Sequence, residues 1–155
     1  MGNLTKIKAD LFRAREDLIL AHAVNSKGVM GSGIAAIFKK KFPANYLFYK
    51  ECCEKENMTG KCILGISSTN IVANLVTSED FGMKVDEKDV VLKNTESALE
   101  DMFTQLEKMY LPRKIICSNK FNSGLFGVPW EYTEAIVEKV LSKYPDYKWI
   151  IFEID

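Results

Sequence analysis

Apolar positions along the chain fall into two rhythms, and the alternation between them predicts the order of elements. Leu18 to Val24 is an apolar run with too little polar alternation to leave one face wet, which predicts a central strand covered on both sides. Thr5 to Ile7 reads as a short opening strand before it, leading into Ala9-Asp10-Leu11-Phe12. Helical spacing then takes over: Ile34, Ile37, Phe38 and Phe42 recur at three and four residues, and Pro43 marks the stop. Asn45 to Lys55 predicts a second, short helix. Lys61 to Ser67 and Ile71 to Thr77 read as two strands joined through a hairpin turn at Ser68-Thr69-Asn70.

The strongest helical stripe follows: Val91, Thr95, Ala98, Leu99, Met102, Phe103, Leu106 and Tyr110, with Asp86 as N-cap and Pro112 ending the pattern. Such periodicity marks a buried face rather than a cofactor box. Lys114 to Ser118 is the next strand. Pro129 fits the first helical position of a last helix, whose buried face carries Trp130, Val137, Val140, Leu141 and Tyr144. Tyr147 to Ile154 closes the chain as a strand. Strands alternating with helices call for an α/β fold with a mixed sheet between helical layers, and neither repeat nor linker divides residues 1–155.

Composition narrows the function classes. The chain has 155 residues, 47% hydrophobic and 27% charged, which is ordinary for one globular domain. Lys+Arg and Asp+Glu both number 21, which argues against a duplex-DNA binder working by phosphate neutralisation. The one basic run, Lys39-Lys40-Lys41, suits a solvated helix end, where cations meet the negative pole of the dipole. No apolar run reaches the roughly 18 residues that span a bilayer, and no secretory leader pattern opens the chain. Cys52, Cys53, Cys62 and Cys117 form no CxxC, and one histidine makes a zinc site improbable, so free thiols, no metal and a cytoplasmic setting are expected.

Two glycine-rich stretches stand apart from this pattern. Asn25 to Ala35 contains Gly28, Gly31 and Gly33; Asn122 to Trp130 contains Gly124 and Gly127. Each follows a strand and opens a helix. Free amides at a helix start converge where the dipole favours negative charge, so the pair predicts a ligand with a run of phosphate or ribose oxygens. In open α/β sheets ligands bind beyond the carboxyl ends of the strands, where both loops fall. Gly31-Ser32-Gly33-Ile34-Ala35-Ala36 satisfies G-x-G-x-x-A, but six residues separate Val24 from Gly31 and the region near Glu51 is helical, so this is not the dinucleotide fingerprint. No Gly-Lys-Ser/Thr closes a P-loop either.

These residues resemble a family. Asp10-Leu11, Ala21-His22-Ala23-Val24-Asn25, Met30 to Ala35 and Asn122 to Trp130 together look like a macrodomain, over nearly the whole chain. The second loop and Gly60-Lys61-Cys62-Ile63-Leu64 are similar to the yeast-type branch that acts on ADP-ribose 1''-phosphate. The resemblance implies a three-layer α/β/α fold with a central mixed sheet, and a site for ADP-ribose derivatives that needs no cofactor. By the same resemblance Asp10 would accept from the adenine amino group, with Leu11 beside it. Asn25, Gly31, Ser32 and Gly33 would border the distal ribose. Ser123, Gly124, Leu125, Phe126 and Gly127 would wrap the pyrophosphate, with Phe126 also lining the ribose. The branch that frees ADP-ribose from glutamate side chains has a lysine and an aspartate where this chain has Ser78 and Phe126. That departure argues against lysine chemistry here.

The expected reaction is hydrolysis of the 1''-phosphomonoester, on a small-molecule by-product of tRNA splicing, by a monomer. Such chemistry needs a positioned water, charge stabilisation and a proton for the leaving oxygen. His22, three residues before Asn25, is the one side chain that titrates near neutrality unperturbed, and is the candidate acid or base. It reads equally as a core histidine satisfied by backbone. Asn25 is the second catalytic candidate; Glu79 and Asp80 lie after a strand end and Cys117 lies inside one. An ADP-ribosyl hydrolase and a non-catalytic ADP-ribose reader fit the same scaffold.

Overall fold

The computed structural model describes residues 3–15, 17–67 and 70–154. Its elements run β1 (Leu4–Lys8), β2 (Ile19–Asn25), α1 (Gly33–Lys41), α2 (Pro43–Lys55), β3 (Cys62–Ile66), β4 (Ile71–Ser78), α3 (Lys88–Glu107), β5 (Ile115–Ser118), α4 (Trp130–Leu141) and β6 (Lys148–Glu153). The six strands form one sheet in the order β1-β6-β5-β2-β4-β3. All neighbours are parallel except β3, which pairs antiparallel with β4. The sheet is therefore mixed, as expected. The Ser68 and Thr69 part of the expected hairpin turn lies outside the described residues; at its shoulders the Ser67 amide donates to the Asn70 carbonyl at 3.0 Å.

Alternation along β2 divides the core. Ile19 and Ala21 face α3 and α4, where they join Leu99, Met102, Phe103, Val137, Val140 and Trp149. Leu20 and Val24 face the other way and pack with Phe38 of α1 and Tyr49 of α2. Successive side chains of a strand point to opposite faces, so a run that is apolar at nearly every position demands cover on both. Two helices lie on each side of the sheet, and the three-layer architecture is the one expected.

Several boundaries move for identifiable reasons. Pro43 both follows the end of α1 and starts α2, so the second helix opens two residues before Asn45. Asp86 is not the cap of α3: Glu87 holds that position, and the Asp86 carboxylate accepts from the Glu79 amide at 2.9 Å. Tyr110 leaves the stripe, because α3 ends at Glu107 and Tyr110 sits exposed at φ 52°. Pro129 is the N-cap of α4 rather than its first helical residue.

This topology fixes where a site can be. From β2 the chain crosses through α1 and α2 toward the β4–β3 edge; from β5 it crosses through α4 toward the β6–β1 edge. β2 and β5 are neighbours whose connections leave in opposite directions. The crevice between them, at their carboxyl ends, is the switch point where open α/β sheets bind ligands.

Candidate functional site

A cleft of about 710 Å³ opens at that switch point, within the usual size of small-molecule sites. Its walls are the two glycine loops. Asn25, Gly31, Ser32 and Gly33 come from the first, and Gly124, Leu125 and Phe126 from the second, so seven of the expected site residues are brought together. No acidic or basic side chain lines the cleft among the described residues.

The first loop is shaped by Asn25. Its Oδ1 accepts from the amides of Lys27 at 3.0 Å and Val29 at 3.3 Å, while its Nδ2 donates to the Val29 carbonyl at 2.8 Å. Tyr49 of α2, fully buried, donates its hydroxyl to the Asn25 carbonyl at 2.6 Å. Burial pushes the Tyr49 phenol well above its ordinary range, so it stays a donor. A register shift between β2 and β4 after Val24 turns the chain into the loop, and the Ser26 amide ties it to the Ser78 carbonyl at 3.0 Å. The loop ends at Ser32, the N-cap of α1. The Ser32 hydroxyl makes no capping bond and no acidic residue occupies the first turn, so the positive end of α1 is left open to the cleft.

The second loop closes on itself. The Gly127 amide donates to the Gly124 carbonyl at 3.0 Å, and the Val128 amide to the Asn122 carbonyl at 2.8 Å. Gly127 takes φ +71°, a left-handed conformation that favours glycine. The amides of Gly124, Leu125 and Phe126 have no acceptor among the described residues. Unpaired amides on a loop, opposite the open start of a helix, hold anionic oxygens without cationic side chains.

Residues the sequence reading had not singled out complete the walls. Asn122, buried at φ 67°, accepts from Thr77 Oγ1 of β4 at 2.7 Å. It donates to Thr95 Oγ1 of α3 at 2.9 Å and Thr133 Oγ1 of α4 at 3.3 Å. One amide thus pins the loop to three elements. Its position two residues before Gly124 was visible in sequence; its partners, 45, 27 and 11 residues away, were not. Asn119 also lines the cleft, with an Oδ1 that has no protein partner, and Phe81 and Met83 reach it from the segment after β4.

Other expected residues fall outside the cleft wall. Asp10 accepts from the Phe12 amide at 3.0 Å and so caps a short 3-10 turn, whose first residue Leu11 is buried. Ser123 spends its hydroxyl on the Lys120 carbonyl. Ser123 and Gly127 frame the loop without lining the cleft. Glu79 pairs with Lys27 at 3.8 Å and the Asp80 carbonyl accepts from Ser78 Oγ at 2.6 Å, which leaves both residues structural tasks. Cys117 is buried, and burial pushes its thiol up to about 11, which rules it out as a neutral-pH nucleophile.

His22 is corrected most sharply. It lies on the α1–α2 face of β2, fully buried, with its ring stacked on Phe38 at 3.8 Å between centroids. Its Nε2 bonds Asn74 Oδ1 at 2.7 Å, and Asn74 pairs in turn with Asn45. Desolvation is the dominant effect and lowers its pKa to about 4, partly offset by the Asn74 bond. Neutral His22 donates from Nε2 and leaves Nδ1 bare in the core. It does not line the cleft. The physical reason is strand alternation, which sends position 22 to the α1–α2 side against Phe38, while the cleft is lined only from Ala23, Val24 and Asn25 at the end of β2.

A three-layer α/β/α sheet with a backbone-lined cleft at its switch point is the architecture expected of a macrodomain. Residues 21–137 match the Macro domain family, and the chain belongs to it. It is similar to the ADP-ribose 1''-phosphate phosphatase of Meyerozyma guilliermondii, 34% identical over 90% of this chain and 94% of that protein. Among solved structures, the macrodomain of Mycobacterium tuberculosis DarG shares the fold at a TM-score of 0.82 and 23% identity, with 98% of each chain covered. Thermosipho africanus DarTG, solved in complex with ADP-ribose, aligns at a TM-score of 0.79 and 23% identity, over 99% of this chain and 42% of that one.

Proposed function

We propose that this macrodomain is an ADP-ribose 1''-phosphate phosphatase, releasing inorganic phosphate and ADP-ribose. The observation that carries the reading is likeness over 90% of the chain to a relative of that name, joined to a cleft whose two amide-lined loops suit a diphosphate and a phosphomonoester. The pyrophosphate lies against the amides of Gly124 to Phe126, and the distal ribose over Asn25 and the start of α1.

Phosphoryl transfer spreads charge over the equatorial oxygens in a loose transition state, so positioning and charge stabilisation do most of the work. Amides at the α1 start and on the second loop supply that stabilisation without reorganising. The leaving oxygen is anomeric, attached to a carbon that also bears the ring oxygen. Its alkoxide is more stable than that of an ordinary alcohol, which lessens the need for a general acid. The chemistry therefore does not require His22 at the substrate. Its part is to hold β2 against α1, and so to hold the loop.

The setting we propose is cytoplasmic, with a monomer acting on a soluble by-product of tRNA splicing; the four cysteines, free in the structure, support it. A non-catalytic reader of ADP-ribose is the second reading, favoured by the lack of any charged side chain on the cleft wall among the described residues. Phosphate release from ADP-ribose 1''-phosphate, measured beside calorimetric binding of ADP-ribose, separates them. Turnover establishes the phosphatase, whereas tight binding without release makes the protein a reader.

A further inference from the structure

The two edges of the sheet are guarded differently. β1, on one edge, carries Lys6 and Lys8, and charged side chains discourage another strand from pairing there. β3, on the other edge, reads Cys-Ile-Leu-Gly-Ile and has no charge of its own. Its first residue is closed by α3: Asp101 Oδ2 accepts from the Cys62 amide at 2.8 Å, and Gln105 Nε2 donates to the Cys62 carbonyl at 2.8 Å. The main chain of Cys62 therefore points away from β4. Main-chain groups alternate in direction along an antiparallel strand, so those of Leu64 and Ile66 point outward too, and they have no partner among the described residues. The guard stops after one residue.

A second cavity, of about 570 Å³, adjoins that open stretch. It lies between the start of α2 and the end of β3, at the opposite end of the sheet from the cleft, since β3 runs antiparallel to β4 and β4 parallel to β2. Gly65 lets α2 come down onto the strand: a Cβ there would stand 1.9 Å from Asn45 Oδ1. Around Asn45 the wall includes Phe42, Phe48 and Ile66, the last two 46% and 61% exposed. Lys41 is the one charged residue on the lining, and it has no carboxylate partner among the described residues. Its ammonium lies 5.8 Å from the centre of the Phe12 ring, a contact weak enough to exchange for an ion pair.

An open strand edge beside a cavity suits an extended chain, whose backbone bonds the edge while alternate side chains drop into the cavity. The unpaired cation on the lining calls for a carboxylate on that chain. A second copy of this protein fits less well. Two-fold pairing of β3 with itself about Leu64 sets Cys62 opposite Ile66, and Asp101 and Gln105 already occupy the Cys62 groups. We propose that Leu64 and Ile66, with the cavity between Phe48 and Lys41, dock an extended segment of a partner protein that bears an apolar and an acidic side chain two residues apart. The segment adds as a strand outside β3. Its apolar side chain enters the cavity and its carboxylate meets Lys41. The docking is independent of what the cleft binds.

The test pans a display library of random heptapeptides against the immobilised full chain. Calorimetry then measures the enriched peptides on the unsubstituted protein, Ile66→Pro and Lys41→Glu, both exposed positions. Ile66→Pro removes an amide that faces outward and spares the bonds to β4. Methylating the peptide amides in alternate sets gives a check that leaves the protein intact. The expected peptides share an acidic residue two positions from a large apolar one. Ile66→Pro weakens them about tenfold and Lys41→Glu about threefold, and one methylated set loses binding while the other keeps it. The site is overturned if no peptide binds tighter than about 1 mM, if either variant leaves the affinity unchanged, or if both methylated sets bind alike. Dimerisation that Ile66→Pro abolishes and the peptides cannot displace gives the edge to a second copy and overturns the partner segment.

Discussion

The two glycine loops that face each other across the cleft are held by the same residue type in different ways. Asn25 anchors the first through bonds to Lys27 and Val29, two and four residues on, with Tyr49 and Cys53 of α2 as distant partners. Asn122 anchors the second through threonines of β4, α3 and α4. Asn25 thus shapes a local turn and braces it on one helix, with Ser26 tying it to the end of β4, whereas Asn122 makes a junction of three elements by its side chain alone. A loop held locally keeps its shape when its neighbours shift, whereas a loop held by tertiary bonds reports on the packing of the whole α3–α4 side. Beneath them the contrast continues, since β2 under the first loop contains a buried histidine and the second sits on hydroxyls that do not titrate.

The contrast is broken most severely at Asn122. Asn122→Ala leaves the Thr77, Thr95 and Thr133 hydroxyls short of partners and asks alanine to hold a positive φ, costing about 2–4 kcal/mol by the usual range for unmade buried bonds and left-handed backbone. Denaturant unfolding should show that loss, and ADP-ribose affinity should fall at least tenfold. Asn122→Gly, which relieves only the backbone, should recover only the conformational part.

Acid sharpens the comparison from the other side. The His22 pKa is lowered in the folded protein, from 6.5 to about 4, so the unfolded chain binds its proton first as pH falls. Stability contributed by neutral His22 is complete above about pH 6.5, declines by up to roughly 1.4 kcal/mol per pH unit, and levels off below the folded value near 4. Urea midpoints from pH 7 to 4 should show this decline, and His22→Gln should flatten it; an unchanged slope would sink the assignment. Hydrogen exchange should find the first loop loosening before the second.

A smaller effect is expected at Tyr49. Tyr49→Phe removes the donor to the Asn25 carbonyl and costs about 1–2 kcal/mol, with the cleft weakened on the ribose side. The pyrophosphate loop should keep its exchange protection, which separates this variant from Asn122→Ala. Smallest in stability is Gly124→Ala. Its Cβ would meet nothing within 4 Å, so the midpoint should move by less than about 0.5 kcal/mol. Because Gly124 lines the cleft, any loss of ADP-ribose affinity there reads out ligand contact alone. Gly127→Ala, at φ +71°, should instead cost about 1 kcal/mol through backbone strain.

Much of the fold was legible before any coordinate. Unbroken apolarity at Leu18 to Val24 required a covered strand, and the spacing of Val91 to Leu106 required a buried helical face. Glycines at two strand-to-helix junctions located the cleft. Boundaries were less legible, because Pro43, Asp86 and Pro129 each serve two tasks that local rules weigh separately. At the site, Gly31, Ser32, Gly33 and Gly124 to Phe126 reached the cleft as expected, since their backbones are fixed by nearby residues. Asp10 and Leu11 did not, and Phe81, Met83 and Asn119 carried no local mark of their role.

The sequence by itself determined the elements, their alternation and the two loops, because those follow from side-chain polarity and backbone preference within a few residues. Tertiary structure alone decided that Asn122 is the anchor of the second loop, that Phe81 and Met83 face the cleft, and that His22 lies sealed against Phe38. Each of those outcomes depends on a partner brought from far along the chain, or on which face of a strand is covered. Until the sheet is assembled, nothing in the neighbouring residues specifies either.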